Sequence, residues 1–149
     1  MREVEFKDLP SLVGQETGVS EWLEITQERV NKFAEATGDF QWIHVDVERA
    51  KKEMGGTIAH GYLTVSLLPH LGHGFMAITG VTRGINYGSD KVRFLNPVKV
   101  GARIRLRQKL LAVEPKAGGL QLRNECTVEI EGEPKPACVA ETITVLYGA

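Results

Sequence analysis

Residues 57–71 place Ile58, Ala59, Leu63, Val65, Leu67, Leu68 and Leu71 so that a helix there is apolar on nearly every side. Such a helix is stable only where other structure encloses it. The enclosing material is written downstream, where the hydrophobic period changes to two. Arg103, Arg105, Arg107 and Lys109 alternate with Ile104, Leu106, Gln108 and Leu110, and Glu125, Thr127, Glu129 and Glu131 alternate with Cys126, Val128 and Ile130. These are half-exposed antiparallel strands, and their basic and acidic rows are natural cross-strand partners. Residues 137–147 read as a third long strand and residues 81–87 and 91–95 as shorter ones, which makes a sheet of about five or six members. Turns are expected at Glu114-Pro115, Gly118-Gly119 and Gly132-Glu133-Pro134. Helices gathered early and strands gathered late predict an α+β layer, with an antiparallel sheet packed on one central buried helix.

Upstream, an irregular lead runs to about Gly18, and residues 20–25 alternate as a short strand. Thr26 is placed to cap a helix carrying Val30, Phe33, Ala34 and Thr37 on one face, and Gly38 stops it. Asp46 caps a second helix over 47–54, which Gly55-Gly56 ends where a left-handed residue is usually required. Pro69 costs the central helix an internal hydrogen bond, so a kink or an end is expected near His70, before a loop at Gly72 and Gly74.

With 149 residues the chain suits one domain, 1–149, large enough for a sizeable core. The net charge of −1 gives no electrostatic reason to expect nucleic acid or an anionic membrane surface as partner. The first residues lack the apolar core of a signal peptide, and charges interrupt every apolar run before it spans a bilayer, so the cytoplasm is the expected location. Cys126 and Cys138 lack CxxC spacing and read as small strand residues. His70 and His73 form an HxxH, but no acidic residue or cysteine lies near enough in sequence to complete a shell, so no metal site is expected. No Gly-rich phosphate cradle or dinucleotide fingerprint is present, and no nucleotide or nicotinamide cofactor is expected.

Chemistry is concentrated in Thr37-Gly38-Asp39-Phe40-Gln41-Trp42-Ile43-His44. A carboxylate and an imidazole five residues apart on a short irregular segment can share one water and add it to an activated double bond. Taken alone, Asp39 reads as a turn residue after a helix-ending glycine, and His44 as a satisfied half-buried imidazole. Together they read as an acid–base pair.

Around that segment the chain resembles the MaoC-like dehydratase family, which includes R-specific enoyl-CoA hydratases, and especially its nodulation-protein-N-like branch. The resemblance covers most of the chain and is carried by Ala36-Thr37-Gly38-Asp39 through Ile43-His44, by Ile58-Ala59-His60-Gly61-Tyr62-Leu63-Thr64-Val65-Ser66-Leu67, by Asn86-Tyr87-Gly88 and by residues 92–98. Where the family's better-known pattern has Asn-Pro, this chain has Gln41-Trp42, which removes a locked backbone angle and adds bulk at the mouth of the acyl pocket.

The resemblance implies a hot-dog fold, a sheet wrapped around one helix, and reversible hydration of a trans-2-enoyl-CoA to an (R)-3-hydroxyacyl-CoA. It implies coenzyme A as part of the substrate, no separate cofactor, and a homodimer with an acyl tunnel between protomers. His44 is then the base and Asp39 the acid, with exchange of the two roles left open. The Gly61 N–H is the candidate donor to the thioester oxygen. Ser66 orients Asp39 or the water, or bonds its own helix backbone instead. Trp42 and Tyr62 shape the pocket, Asn86 and Arg93 line the site or the coenzyme tunnel, and His60 has a structural role. Two rival readings stand beside hydration: an acyl-CoA thioesterase on the same fold, and a non-catalytic acyl-binding partner subunit of a dehydratase complex.

Overall fold

In the computed structural model, which describes residues 1–148, the chain runs β1 (Arg2–Glu5), a 3-10 segment (Phe6–Leu12), β2 (Glu16–Val19), β3 (Leu23–Glu24), α1 (Gln27–Thr37), α2 (Trp42–Val45), α3 (Val47–Met54), α4 (Gly61–Ser66), α5 (Leu68–Gly72), β4 (Met76–Thr79), β5 (Val81–Phe94), β6 (Arg103–Lys116), β7 (Gly119–Ile130) and β8 (Cys138–Gly148). The antiparallel sheet has the order β2-β6-β7-β8-β5, with β3 also paired to β6, and β1 and β4 form a separate parallel pair. The sheet curls around α4 and α5. Leu63, Leu67, Leu68 and Leu71 bury one side of this broken rod against Ile104, Leu106, Cys126, Val128 and Cys138. Each leucine so buried is worth about 1.5–3 kcal/mol.

The expected caps are in place. Thr26 Oγ1 accepts the Arg29 N–H at 3.1 Å and Asp46 Oδ1 accepts the Arg49 N–H at 3.1 Å, while Gly38 and Gly55 end their helices in the left-handed region at φ of 80° and 82°. The charged rows pair across β6 and β7: Arg105 meets Glu129 at 2.8 Å and Arg103 meets Glu131 at 3.4 Å.

Several expectations are corrected. The central helix starts at Gly61, not Thr57, because Ala59 N–H donates to Val98 C=O and Ile58 bridges to Lys99, holding 57–60 extended. It breaks at Leu67, ahead of Pro69, which sits in the first turn of α5 where its missing N–H costs least. One face of the rod is also open: Tyr62, Ser66 and Pro69 are exposed, so the apolar pattern overstated enclosure. Glu114-Pro115 is no turn, since Pro115 pairs with Leu120 and the chain reverses at Ala117-Gly118. The short strands expected at 81–87 and 91–95 are one strand, β5, whose pairing with β8 slips between Asp90 and Arg93, beside Lys91 at φ 53°. Strands β1, β2 and β4 and the one-turn α2 lie where irregular chain was expected or where no element was assigned.

Cys126 and Cys138 are free and buried. Burial pushes the Cys138 thiol from 9.0 up to about 11, with the neighbouring Cys126 adding to the shift, and it raises Cys126 as well. Because the folded-state value lies above the unfolded one, each thiol contributes stability that is present below about 9 and lost as pH rises, for Cys138 through about 11. Neither thiol is expected to react with a small disulfide reagent at neutral pH until the protein unfolds, when both react. Rapid labelling of the native protein would contradict this packing.

Candidate active site

After Gly38 ends α1, Asp39 turns the chain: its Oδ1 accepts the Gln41 N–H at 3.3 Å, a side-chain turn typical of aspartate. The single turn of α2 then carries His44 inward, where it is 6% exposed, while Asp39 stays at the surface. The ring of His44 is fixed by a 2.6 Å hydrogen bond between Nδ1 and the Ile58 carbonyl. A carbonyl only accepts, so Nδ1 carries the proton and Nε2 is left free to take one.

A second imidazole joins them. His60 Nε2 donates to the Asp39 carbonyl at 3.0 Å, and the His60 ring stacks on that of His44 with centroids 3.9 Å apart and planes 23° apart. Phe33 backs His60 at 4.9 Å. One donor atom each from Asp39, His44 and His60 lies within 4.8 Å of the others. One water hydrogen-bonded at about 2.8 Å to both a carboxylate and an imidazole spans such a gap. The same three side chains are those that would hold a small cation, a set invisible in the sequence because His60 is distant from the other two along the chain.

His44 and Gly61 both line a cavity of about 260 Å³, together with Ile58, Thr64, Phe94 and Pro97. Gly61 is the first residue of α4, where a backbone N–H has no acceptor within its own helix. A Cβ at this position would sit 3.0 Å from the ring of Phe94, so any larger residue would press on that cavity wall.

The other expected residues scatter. Ser66 Oγ donates to the Tyr62 carbonyl at 2.7 Å, so its proton is spent on its own helix and the group that holds the Asp39 loop is His60. Trp42 packs under the Arg49 guanidinium at 4.1 Å and lines neither this cavity nor the neighbouring groove. Tyr62 is 73% exposed and meets Phe94 edge-on at 5.9 Å. Arg93 is exposed and donates to the Val92 carbonyl, away from the cavity. Asn86 lines a larger groove that adjoins the cavity along α4, where Thr64 lines the one and Val65 and Ser66 the other.

Gln27 braces this segment in a way that the sequence does not announce. Its Nε2 donates to the His44 carbonyl at 2.7 Å, and its Oε1 accepts from Thr57 Oγ1 at 2.6 Å, tying α1, α2 and the approach to α4 together. A glutamine in a helix's first turn carries no local signal of such a task. Thr64 and Phe94 fall inside the motifs that carry the family resemblance, but nothing in those motifs marks them as cavity walls.

An antiparallel sheet wrapped on a helix, with an acid–imidazole pair held over the start of that helix, defines a hot-dog protein of the hydratase and dehydratase class. Residues 8–129 match the MaoC like domain, and the chain belongs to the MaoC-like dehydratase family. It is 53% identical over 138 residues to 3-hydroxyacyl-thioester dehydratase Z of Mycobacterium tuberculosis, covering 91% of each chain. To nodulation protein N of Rhizobium leguminosarum bv. viciae it is 46% identical over 150 residues, covering 98% of this chain and 93% of the relative. Among solved structures it resembles the unliganded R-hydratase PhaJ1 from Pseudomonas aeruginosa, with a TM-score of 0.75 at 24% identity over 92% of this chain and 83% of that one. That likeness is one of fold.

Proposed function

We propose that the protein catalyses reversible hydration of a trans-2-enoyl-CoA to the (R)-3-hydroxyacyl-CoA. The observation that carries this reading is the convergence of the Asp39 carboxylate and a His44 ring nitrogen within 4.8 Å, with His44 lining a cavity that Gly61 shares. His44 Nε2 takes a proton from water as its oxygen attacks the β-carbon. That proton passes from His44 to Asp39, which delivers it to the α-carbon and so returns both groups to their starting state. The Gly61 N–H faces the charge that builds on the thioester oxygen, a kind of contact whose loss typically costs about 2.7–4 kcal/mol of barrier. The R configuration is what the resemblance to the MaoC-like family implies.

The working unit in this reading is a homodimer joined at β5. That strand ends the sheet order, its outer edge is unpaired among the described residues, and Ile85, Tyr87 and Phe94 expose apolar surface along it. Two free buried cysteines suit the reducing cytoplasm. Among the described residues no helix is long and apolar enough to cross a membrane.

Mixing the purified chain with crotonyl-CoA, without added cofactor or metal, is expected to remove the conjugated absorbance of the enoyl thioester without releasing free thiol. Thiol release from a saturated acyl-CoA with no effect on enoyl absorbance would favour thioester hydrolysis and refute the proposal.

A further inference from the structure

The inner face of β7 reads Leu120, Leu122, Asn124, Cys126, Val128, Ile130, an apolar stripe broken by one amide. Asn124 is 8% exposed, and its Oδ1 is buried without a hydrogen-bond partner. An unpaired buried polar group is costly, and a fold retains it against that cost most simply where something else pairs it. Asn124 lines a groove of about 950 Å³ between the central helix and the sheet. Its cross-strand neighbour there is Thr142, and Gln108 and Cys126 lie beside it on the same floor. Gln108 Nε2 is satisfied by Thr17 Oγ1 at 3.1 Å, so the open hydrogen-bonding capacity centres on Asn124.

The groove begins at Val65 and Ser66, one turn along the rod from Gly61. On the sheet side, Phe94 at the reaction cavity pairs with Cys138, and Asn124 pairs with Thr142, four residues further along β8. At about 3.3 Å per strand residue this separation is roughly 13 Å, the reach of a medium-length acyl chain. The charged nucleotide of coenzyme A stays in water, so the buried end of the groove is left to the acyl group.

We propose that Asn124 and Thr142 form a polar station for a hydroxyl group carried far along the acyl chain, so that the preferred substrates are oxygenated acyl thioesters. This rests on the hydratase reading for the identity of the ligand. A hydroxyl both donates and accepts, and therefore pairs the amide of Asn124 and the hydroxyl of Thr142 together. Apolar chains enter the same groove but leave the amide unpaired.

The test measures equilibrium binding of two unreactive thioesters, decanoyl-CoA and ω-hydroxydecanoyl-CoA, to the full chain by calorimetry, alongside crotonyl-CoA hydration by absorbance. The native protein is expected to bind the hydroxylated ligand about 10-fold more tightly, the range of one hydrogen bond to a buried group. Asn124→Leu is expected to abolish or invert that preference, and Thr142→Val serves the same purpose if the leucine variant does not fold. Equal affinities in the native protein overturn the station, even if crotonyl-CoA is hydrated. A preference that survives both substitutions overturns it too, as does an equal loss for both ligands, which would place the coenzyme's own amides at Asn124. Loss of crotonyl-CoA hydration alone counts against the hydratase reading and leaves the binding ratio to decide the station.

Discussion

Replacing Asp39 with asparagine, or His44 with glutamine, is expected to lower enoyl-CoA turnover by at least ~100-fold, the lower end of what a positioned acid or base contributes. Both substitutions preserve shape. The amide of D39N keeps an oxygen to accept the Gln41 N–H, bonded at 3.3 Å in the native loop, and H44Q keeps a polar side chain of similar volume whose N–H reaches the Ile58 carbonyl after a change of rotamer. The loop and the one-turn helix should therefore remain folded. What each variant loses is the ability to move a proton to or from water. Initial rates of enoyl absorbance loss, compared with thermal unfolding of the same preparations, separate chemistry from stability. Near-native turnover in a folded D39N or H44Q protein would exclude the acid–base pair and leave the non-catalytic partner reading as the better account.

The parts of this molecule that are legible in its sequence are those fixed by local physics. Thr26, Gly38, Asp46 and Gly55 punctuate α1 and α3 because a cap needs a short side-chain oxygen or a left-handed backbone, whatever the rest of the chain does. The alternating rows of β6 and β7 are equally local, and their register places Arg105 opposite Glu129 as charge pairing demands. Less legible are the elements that tertiary context creates. Strand β4 exists because Met76 to Thr79 find β1 as a parallel partner, a pairing across more than seventy residues that no window of sequence reports. The start of α4 is set by Val98 capturing the Ala59 N–H, which withholds residues 57–60 from a helix their apolar pattern would allow.

The site divides in the same way. Asp39 and His44 are readable because one short loop holds both, whereas the groups that aim them come from elsewhere: Ile58 on the ring, Gln27 on the His44 carbonyl, His60 on the Asp39 carbonyl. The spacing of Ser66 suggests that orienting task, but a helical serine reaches its own carbonyl four residues back more easily than a loop outside the helix. Sequence alone points to a structural role for His60 without revealing its place against both Asp39 and His44. The consequence is that positioning, the less visible half of the site, depends most heavily on one buried imidazole.

His60→Leu is therefore expected to reduce kcat by about 100-fold, the scale associated with displacing a reacting group by around 1 Å, while leaving KM for a short enoyl-CoA nearly unchanged. Leucine fills the buried volume between Phe33 and the His44 ring, so the core contact survives. It cannot donate to the Asp39 carbonyl, which frees the loop, and it removes the flat surface on which the His44 ring rests 3.9 Å away. The conservative variant His60→Gln has an amide N–H within reach of that carbonyl and should recover part of the loss, since it restores the anchor without the stack. A descending order of kcat from native protein through H60Q to H60L, at closely similar melting temperatures, is the signature of a positioning role. A leucine variant with native kcat would mean that the Asp39 turn and the Ile58 hydrogen bond hold the pair unaided, whereas a variant whose activity falls only in step with its stability would reduce His60 to core filling.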